Sequence, residues 1–332
     1  MKVLVTGGAG YIGSVVAAQL CAVGHEVTVL DDLSTGHRSA VPRGVPFIEA
    51  DITQAGEVLD DSFDGVLHFA AKSLVGESVD EPQKYWDTNV AGTQALLEAM
   101  RSAGVSRIVF SSTAAVYGEP KTSPITEDVT PAPINPYGQS KLAVDHMLTS
   151  YARAYGIAAV SLRYFNVGGA LRSDLGWFGE RHDPETHLIP NVLAVPAGER
   201  PDVKIFGDDY PTADGTAVRD YLHVEDLGRA HVLALDGAKE GEHRIFNLGT
   251  GDGYSVAQVV EAVREVTKHE VPAEVIQRRP GDPATLVASA VKIETELGWI
   301  PEHSLKRIAA DAWEFMQHRV EEHEAKEERS VR

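Results

Sequence analysis

An apolar strand-forming run, Val3 to Val5, passes directly into glycines at positions 7, 10 and 13 and then into an apolar helical run from Tyr11 to Val23. Glycines at a strand-to-helix turn permit a tight bend and close approach of a ligand to the main chain. The start of the helix then offers its positive end to a pyrophosphate. Gly8-Ala9 separates Gly7 from Gly10, and Tyr11-Ile12 separates Gly10 from Gly13. A glycine pattern alone is weak evidence; the strand before it and the helix after it give it meaning. Asp31, eighteen residues beyond Gly13 at the end of the second strand, adds a carboxylate that can accept hydrogen bonds from adenosine ribose hydroxyls. The same carboxylate repels a 2′-phosphate, so NAD is expected over NADP. Asp51, after the third strand, and Asn89, in a long helix, fall where adenine-edge and pyrophosphate or ribose contacts are expected.

Strand-like and helix-like segments alternate through the first half, the signature of a doubly wound parallel sheet. Strands are expected at 2–5, 26–30, 47–49, 65–69, 107–111 and 158–163, with the longest helices at 81–103 and 137–155. After Asn166, Gly, Pro and Asp become frequent, and 172–176 and 208–211 read as loops. The runs 218–224 and 244–247 read as strands returning toward the sheet. The expected fold is therefore α/β: a Rossmann-type doubly wound parallel sheet with a smaller, partly interleaved C-terminal substrate domain. Residues 1–170, with returning segments near 217–250, would bind the cofactor, and 171–216 with 251–332 would mainly bind substrate.

A formal net charge of −19 argues against nucleic acid or an anionic membrane surface as a partner, because the long-range field repels both. Any anionic ligand must meet locally placed cations. The single cysteine, Cys21, reads as a small residue in the first apolar helix and can form no internal disulfide. With no signal-type start and no run of eighteen apolar residues, a cytoplasmic setting is expected. The segment from Glu321 to Arg332 is nearly all charged and polar and reads as a frayed helix end or tail.

The chemistry is expected from Tyr137-Gly138-Gln139-Ser140-Lys141. On a helix Tyr137 and Lys141 lie four apart on one face, so an ammonium can act on a phenol whose ordinary pKa of about 10 is too high for a base at neutral pH. The strand 107–111 ends in Ser111-Ser112-Thr113, at the carboxyl edge where open α/β sheets bind ligands. Together these groups suit oxidation of a secondary alcohol: Tyr137 takes the hydroxyl proton while the carbon yields hydride to nicotinamide.

These motifs resemble the short-chain dehydrogenase/reductase superfamily, and specifically its extended, nucleotide-sugar epimerase branch. The resemblance runs from the glycine turn through His68-Phe69-Ala70-Ala71, Val75-Gly76-Glu77-Ser78, Asn89-Val90-Ala91-Gly92-Thr93, the segment Ser111 to Gly118, and Arg163-Tyr164-Phe165-Asn166. It continues through the segments Gly207 to Val224 and Arg278 to Pro283. The resemblance implies reversible C4 epimerisation of UDP-glucose and UDP-galactose: NAD takes hydride from C4, the 4-keto sugar rotates about its pyrophosphate tether, and hydride returns to the opposite face. One acid/base residue, Tyr137, then suffices, with Thr113 bonding O4 and relaying the proton. Implied cofactor contacts extend to Tyr11, Ile12, Ile52, Phe69, Ala70, Ser111 and Tyr164.

For the UDP-hexose substrate, the resemblance implies Arg219 and Arg279 on the diphosphate, Asp282 on the uridine ribose, Asn166 on pyrophosphate or sugar, and Phe206 and Tyr221 stacking on uracil or lining the sugar pocket. His187-Leu188 occupies a loop position where many relatives have Asn before Leu, and His187 is expected to donate to phosphate or sugar. Thr285 falls where some members place a bulky tyrosine, which extends the expected substrates to UDP-N-acetylhexosamines. A 4,6-dehydratase would carry an Asp-Glu pair at positions occupied by Ala114 and Ala115, so water elimination is disfavoured. Another nucleotide-sugar oxidoreductase or decarboxylase, and a non-catalytic NAD-binding sensor, are the alternatives, and the intact Tyr137 and Lys141 count against the sensor. A homodimer through the two long helices is implied. The thirteen histidines show no familiar metal-ligand spacing, and no metal is expected.

Overall fold

The computed structural model describes residues 1–279 and 282–330. The first half follows the strand–helix alternation: β1 (Lys2–Thr6), α1 (Tyr11–Ala22), β2 (Glu26–Asp31), β3 (Phe47–Glu49), β4 (Gly65–His68), α2 (Val75–Asp80), α3 (Pro82–Tyr85), α4 (Thr93–Ala103), β5 (Arg107–Thr113), α5 (Pro136–Tyr155) and β6 (Ala158–Tyr164). The second half holds shorter strands: β7 (Asn166–Gly168), β8 (Ala170–Ser173), β9 (Gly176–Gly179), α6 (Leu188–Leu193), β10 (Val203–Phe206), β11 (Val218–Arg219) and β12 (Tyr221–His223). Then come α7 (Val224–Asp236), β13 (His243–Leu248), β14 (Tyr254–Ser255), α8 (Val256–Thr267), β15 (Ala273–Ile276), β16 (Thr285–Leu286), α9 (Val291–Leu297) and α10 (Leu305–Ser330).

Seven strands form one parallel sheet in the order β13-β6-β5-β4-β1-β2-β3. Alternation along each strand sends side chains to both faces. Val3, Val5, Val29, Leu67, Val109 and Leu162 pack under α1 and α7, whereas Leu4, Leu30, Val66, Ile108 and Phe110 pack under α4 and α5. Burial on both faces is why these strands read as continuous apolar runs. A third core, with Ile189, Val192, Val203, Tyr221, Val260, Val263 and Ile308, joins α6, α8 and α10 in the C-terminal half.

The helix expected at 81–103 runs from Pro82 to Ala103 as α3, a π-helical stretch over Trp86–Gly92 and α4, with helical backbone at both junctions. Two other expectations change. The run 218–224 becomes two short strands outside the main sheet, β11 pairing with β14 and β16, and β12 with β7; only β13 returns to it. The loop at 172–176 is the turn of an antiparallel hairpin, β8 to β9. The segment from Glu321, expected as a frayed helix end or tail, is the end of α10, which runs to Ser330; Val331 and Arg332 lie outside the described residues, as do Pro280 and Gly281. Among the described residues, no helix is long and apolar enough to cross a membrane.

Candidate active site

The sheet order reverses direction between β1 and β4, and a cleft of about 460 Å³ opens there along the carboxyl edge. Gly7, Gly10, Tyr11, Ile12 and Gly13 form one end of its wall. Gly7 has φ +71°, and a Cβ there would lie 2.5 Å from the Ala70 nitrogen; a Cβ on Gly13 would lie 2.2 Å from the Gly7 carbonyl oxygen. The chain therefore turns onto α1 only with hydrogen at both positions. Gly10 caps α1 without a side-chain bond, so the first-turn N–H groups face the cleft unmasked.

Asp31 ends β2 at the same wall. Its Oδ2 accepts from the Ala9 N–H (2.9 Å) and its Oδ1 from the Leu33 N–H (2.8 Å), which leaves acceptor sites for a diol. Burial pushes its carboxyl up, and the two backbone donors oppose that rise. A cradle with no room for side chains, an uncapped helix start and a fixed carboxylate together fit a dinucleotide. Ile52, Phe69, Ala70 and Asp51 also line the cleft. Asp51 in addition caps the 3₁₀ turn Ile52–Glu57 by accepting from the Thr53 N–H (2.8 Å). Asn89 stands behind the wall. Its amide bonds both backbone groups of Lys72 (2.8 and 3.0 Å) and Ser140 Oγ (3.0 Å), so it shapes the loop that faces the cofactor space instead of entering it.

Thr113 at the end of β5 and Tyr137 at the start of α5 both line the cleft, and the Thr113 Oγ1 also accepts the Ala115 N–H (3.1 Å). Asn135 fixes the entry to α5 by accepting from the Gly138 N–H (2.8 Å), and Pro136 occupies the first helical position, where its missing N–H costs nothing. The Tyr137 ring packs edge-on against Tyr85 at 6.3 Å. Burial pushes the Tyr137 phenol above its ordinary value, and the Thr113 hydrogen bond pulls the other way. Lys141, one turn on, is 3% exposed. Its Nζ donates to the Ser111 carbonyl (2.8 Å) and lies 4.7 Å from the centre of the Phe110 ring. Burial lowers it to about 7, with the Asp145 charge opposing. Ser111 Oγ and the Tyr164 hydroxyl are hydrogen-bonded to each other in the same wall.

Asn166, Arg219 and His187 also line the cleft. Arg219 is ion-paired with Asp282 and donates to its neighbour's Val218 carbonyl (2.7 Å). Among the described residues, the cleft wall does not include Leu188, Phe206, Tyr221, Arg279 or Asp282. Tyr221 is a core residue of the C-terminal half. Arg279 lies with its guanidinium 3.8 Å from the centre of the Phe206 ring, so these two expected ligands are partners of each other. Thr285 is also off the wall, and its neighbour Leu286 is on it. The motif segment 278–283 includes Pro280 and Gly281, which are outside the described residues.

Sequence reasoning missed Lys72, Glu180 and His182, all on the wall. Lys72 Nζ donates to Ser34 Oγ (3.0 Å) and supplies a local cation near Asp31 that no motif announced. Glu180, with Glu185 behind it, faces His182 and His187. Burial opposes protonation of these imidazoles, but hydrogen bonds to the two carboxylates outweigh it and raise His182 to about 9 and His187 to about 10. The repeated Glu-x-His spacing at 180–182 and 185–187 was the available signal.

Comparison with known proteins agrees with this geometry. A family model described as "NAD dependent epimerase/dehydratase family" matches residues 3–249. The chain is 59% identical over 318 residues to a UDP-glucose 4-epimerase of Corynebacterium glutamicum, covering 95% of each chain. It is 56% identical over 321 residues to that of Streptomyces lividans, again with 95% of each covered. It also resembles the crystal structure of UDP-glucose-4-epimerase from Stenotrophomonas maltophila with bound NAD and formylated UDP-arabinopyranose, with TM-score 0.92, 40% identity, and 97% and 99% of the two chains covered.

Proposed function

Because the chain belongs to the NAD dependent epimerase/dehydratase family, we propose that it catalyses the reversible C4 epimerisation of UDP-glucose and UDP-galactose with NAD as its cofactor. The observation that carries this reading is that Thr113, Tyr137 and Lys141 line one cleft together with the glycine cradle, with alanines at 114 and 115. NAD, when bound, supplies the acceptor and donor of the C4 hydride. Tyr137 accepts the proton of the C4 hydroxyl, Thr113 holds O4 and relays that proton, and Tyr137 returns it after the 4-keto sugar has turned over. Burial alone would leave the phenol too weak a base, so the positive charge of Lys141 must act on it when the site is filled. One acid/base residue serves both faces because the sugar turns about its diphosphate.

In this proposal Gly7, Gly10, Tyr11, Ile12, Gly13, Asp31, Asp51, Ile52, Phe69, Ala70, Ser111 and Tyr164 hold the cofactor. Asn166, His187 and Arg219 face the nucleotide sugar. Arg219 releases Asp282 to meet the diphosphate, and Asp282 turns to the uridine ribose. Residues 1–170 with 217–250 form the cofactor unit, and 171–216 with 251–332 mainly the substrate unit. A cytoplasmic homodimer completes the reading. Acceptance of UDP-N-acetylhexosamines rests on the small side chain of Thr285 alone; absence of turnover with UDP-N-acetylglucosamine, where UDP-glucose reacts, removes it.

The test is incubation of purified protein with UDP-galactose and no added cofactor, followed by proton NMR of the sugar nucleotides. Approach to a fixed UDP-galactose to UDP-glucose ratio is expected. No conversion, with or without added NAD, would refute the assignment.

A further inference from the structure

We propose that Glu180, His182, Glu185 and His187 form a binding site for one divalent transition-metal ion of the zinc class, on the wall of the cleft. The four side chains come from the loop between β9 and α6, and their ligand atoms lie within 4.8 Å of one another. Both imidazoles present the same nitrogen, Nδ1, to the same carboxylate oxygen, Glu180 Oε1, at 3.0 Å from His182 and 2.7 Å from His187. Both also face Glu185, at 3.7 and 3.2 Å. Two separate ion pairs would need one carboxylate for each ring and no shared oxygen. One ligand atom from each of the four residues falls within a span that a single ion can bridge. A tetrahedral ion with bonds of about 2.1 Å places its ligands about 3.4 Å apart, and the nitrogen-to-carboxylate separations here run from 2.7 to 3.7 Å, with Glu185 turning Oε2 to His182 and Oε1 to His187. Two imidazoles with two carboxylates suit zinc and its neighbours better than calcium or magnesium, which prefer all-oxygen shells.

The loop is also braced behind these ligands. Glu185 Oε1 accepts the N–H groups of Thr186 and His187, both at 2.8 Å, and Asn191 Nδ2 donates to the His187 carbonyl at 2.8 Å. Such second contacts orient ligands before an ion arrives. The other such group among the described residues is different. His223 accepts the Glu225 N–H at Nδ1 (3.0 Å) and bonds Asp311 through Nε2 (3.0 Å), so each nitrogen already has its own partner.

The site shares His187 with the proposed nucleotide-sugar contacts, and its test reads metal rather than turnover. The full chain is stripped with a chelator, dialysed, and titrated with zinc chloride against a fluorescent zinc chelator, with bound metal counted by mass spectrometry. One zinc per chain is expected, with X-ray absorption showing nitrogen and oxygen neighbours at about 2.0–2.1 Å and two imidazoles. The H182A/H187A double variant should lose at least about a hundredfold in affinity, and E180Q, which keeps volume and hydrogen bonding, at least about tenfold. Failure of the native chain to hold zinc above the level of the double variant, with both folded by circular dichroism, overturns the proposal. Unchanged affinity in E180Q overturns it as well, and that variant decides the matter if the double variant does not fold.

Discussion

Tyr137 sits where its own surroundings oppose its proposed work, because burial raises the phenol and only the Thr113 hydrogen bond offsets that rise. Tyr137→Phe should therefore cut kcat by about 10²–10⁴-fold while NAD stays bound, checked by the NMR conversion rate and by the cofactor released on denaturation. A variant with near-native kcat would move proton transfer elsewhere. Lys141 makes a sharper case. Its pKa falls from the ordinary 10.5 unfolded to about 7 folded, so between those values the unfolded chain binds more protons and stability rises with pH. Below pH 7 the full cost of burying the ammonium is present. Lys141→Met should abolish epimerisation yet raise the midpoint of urea unfolding at pH 7, with the gain shrinking as pH climbs toward 10. A destabilised variant at pH 7 would mean that the bond to the Ser111 carbonyl outweighs desolvation. These two residues were legible because a spacing of four survives any detail of packing. Lys72 was not, because nothing local distinguishes a cleft lysine from a solvated one.

Two helix starts place the chemistry. At α5, Asn135→Ala removes the bond to the Gly138 N–H, which should cost about 1 kcal/mol of stability in urea titration and loosen Tyr137, lowering kcat more than it raises KM. At α1, Gly13→Ala puts a methyl 2.2 Å from the Gly7 carbonyl. A loss of about 1–3 kcal/mol and of the co-purified NAD is expected; retention of full NAD content would show that the cradle can give way. The second start was legible through its glycines; the first was read as beginning at Tyr137, one residue after Pro136. The helix over 82–103 was legible, but its π-helical stretch at Trp86–Gly92 was not, because no local pattern marks one. Within it Gly92 meets Ile52, whose Cγ2 would lie 2.8 Å from an added Cβ, and Asn89 reaches back to Lys72 and Ser140.

Across the whole molecule, the apolar faces of α4 and α5 turn out to be covered by their own sheet, with Leu96, Leu97, Val144 and Leu148 fully buried. Exposed apolar groups on or before these helices are Tyr155, at 57%, Val79, at 62%, and Trp86, at 40%. If the proposed dimer forms on that side, Trp86→Asp should convert it to monomer in light scattering after gel filtration; an unchanged mass would move the interface. The chain's order of strands, its glycine turn, Asp31, Thr113, Tyr137 and Lys141 followed from sequence, because periodicity and fixed spacings are set by backbone geometry within a few residues. The convergence of Glu180, His182, Glu185 and His187 lies within one loop, whose path the rest of the fold sets. The tertiary structure alone decided that Asn89 stands behind the wall and that Arg219 pairs with Asp282 and Arg279 with Phe206. Those facts depend on which loops the packed sheet brings side by side, and no local rule of the chain carries that distance.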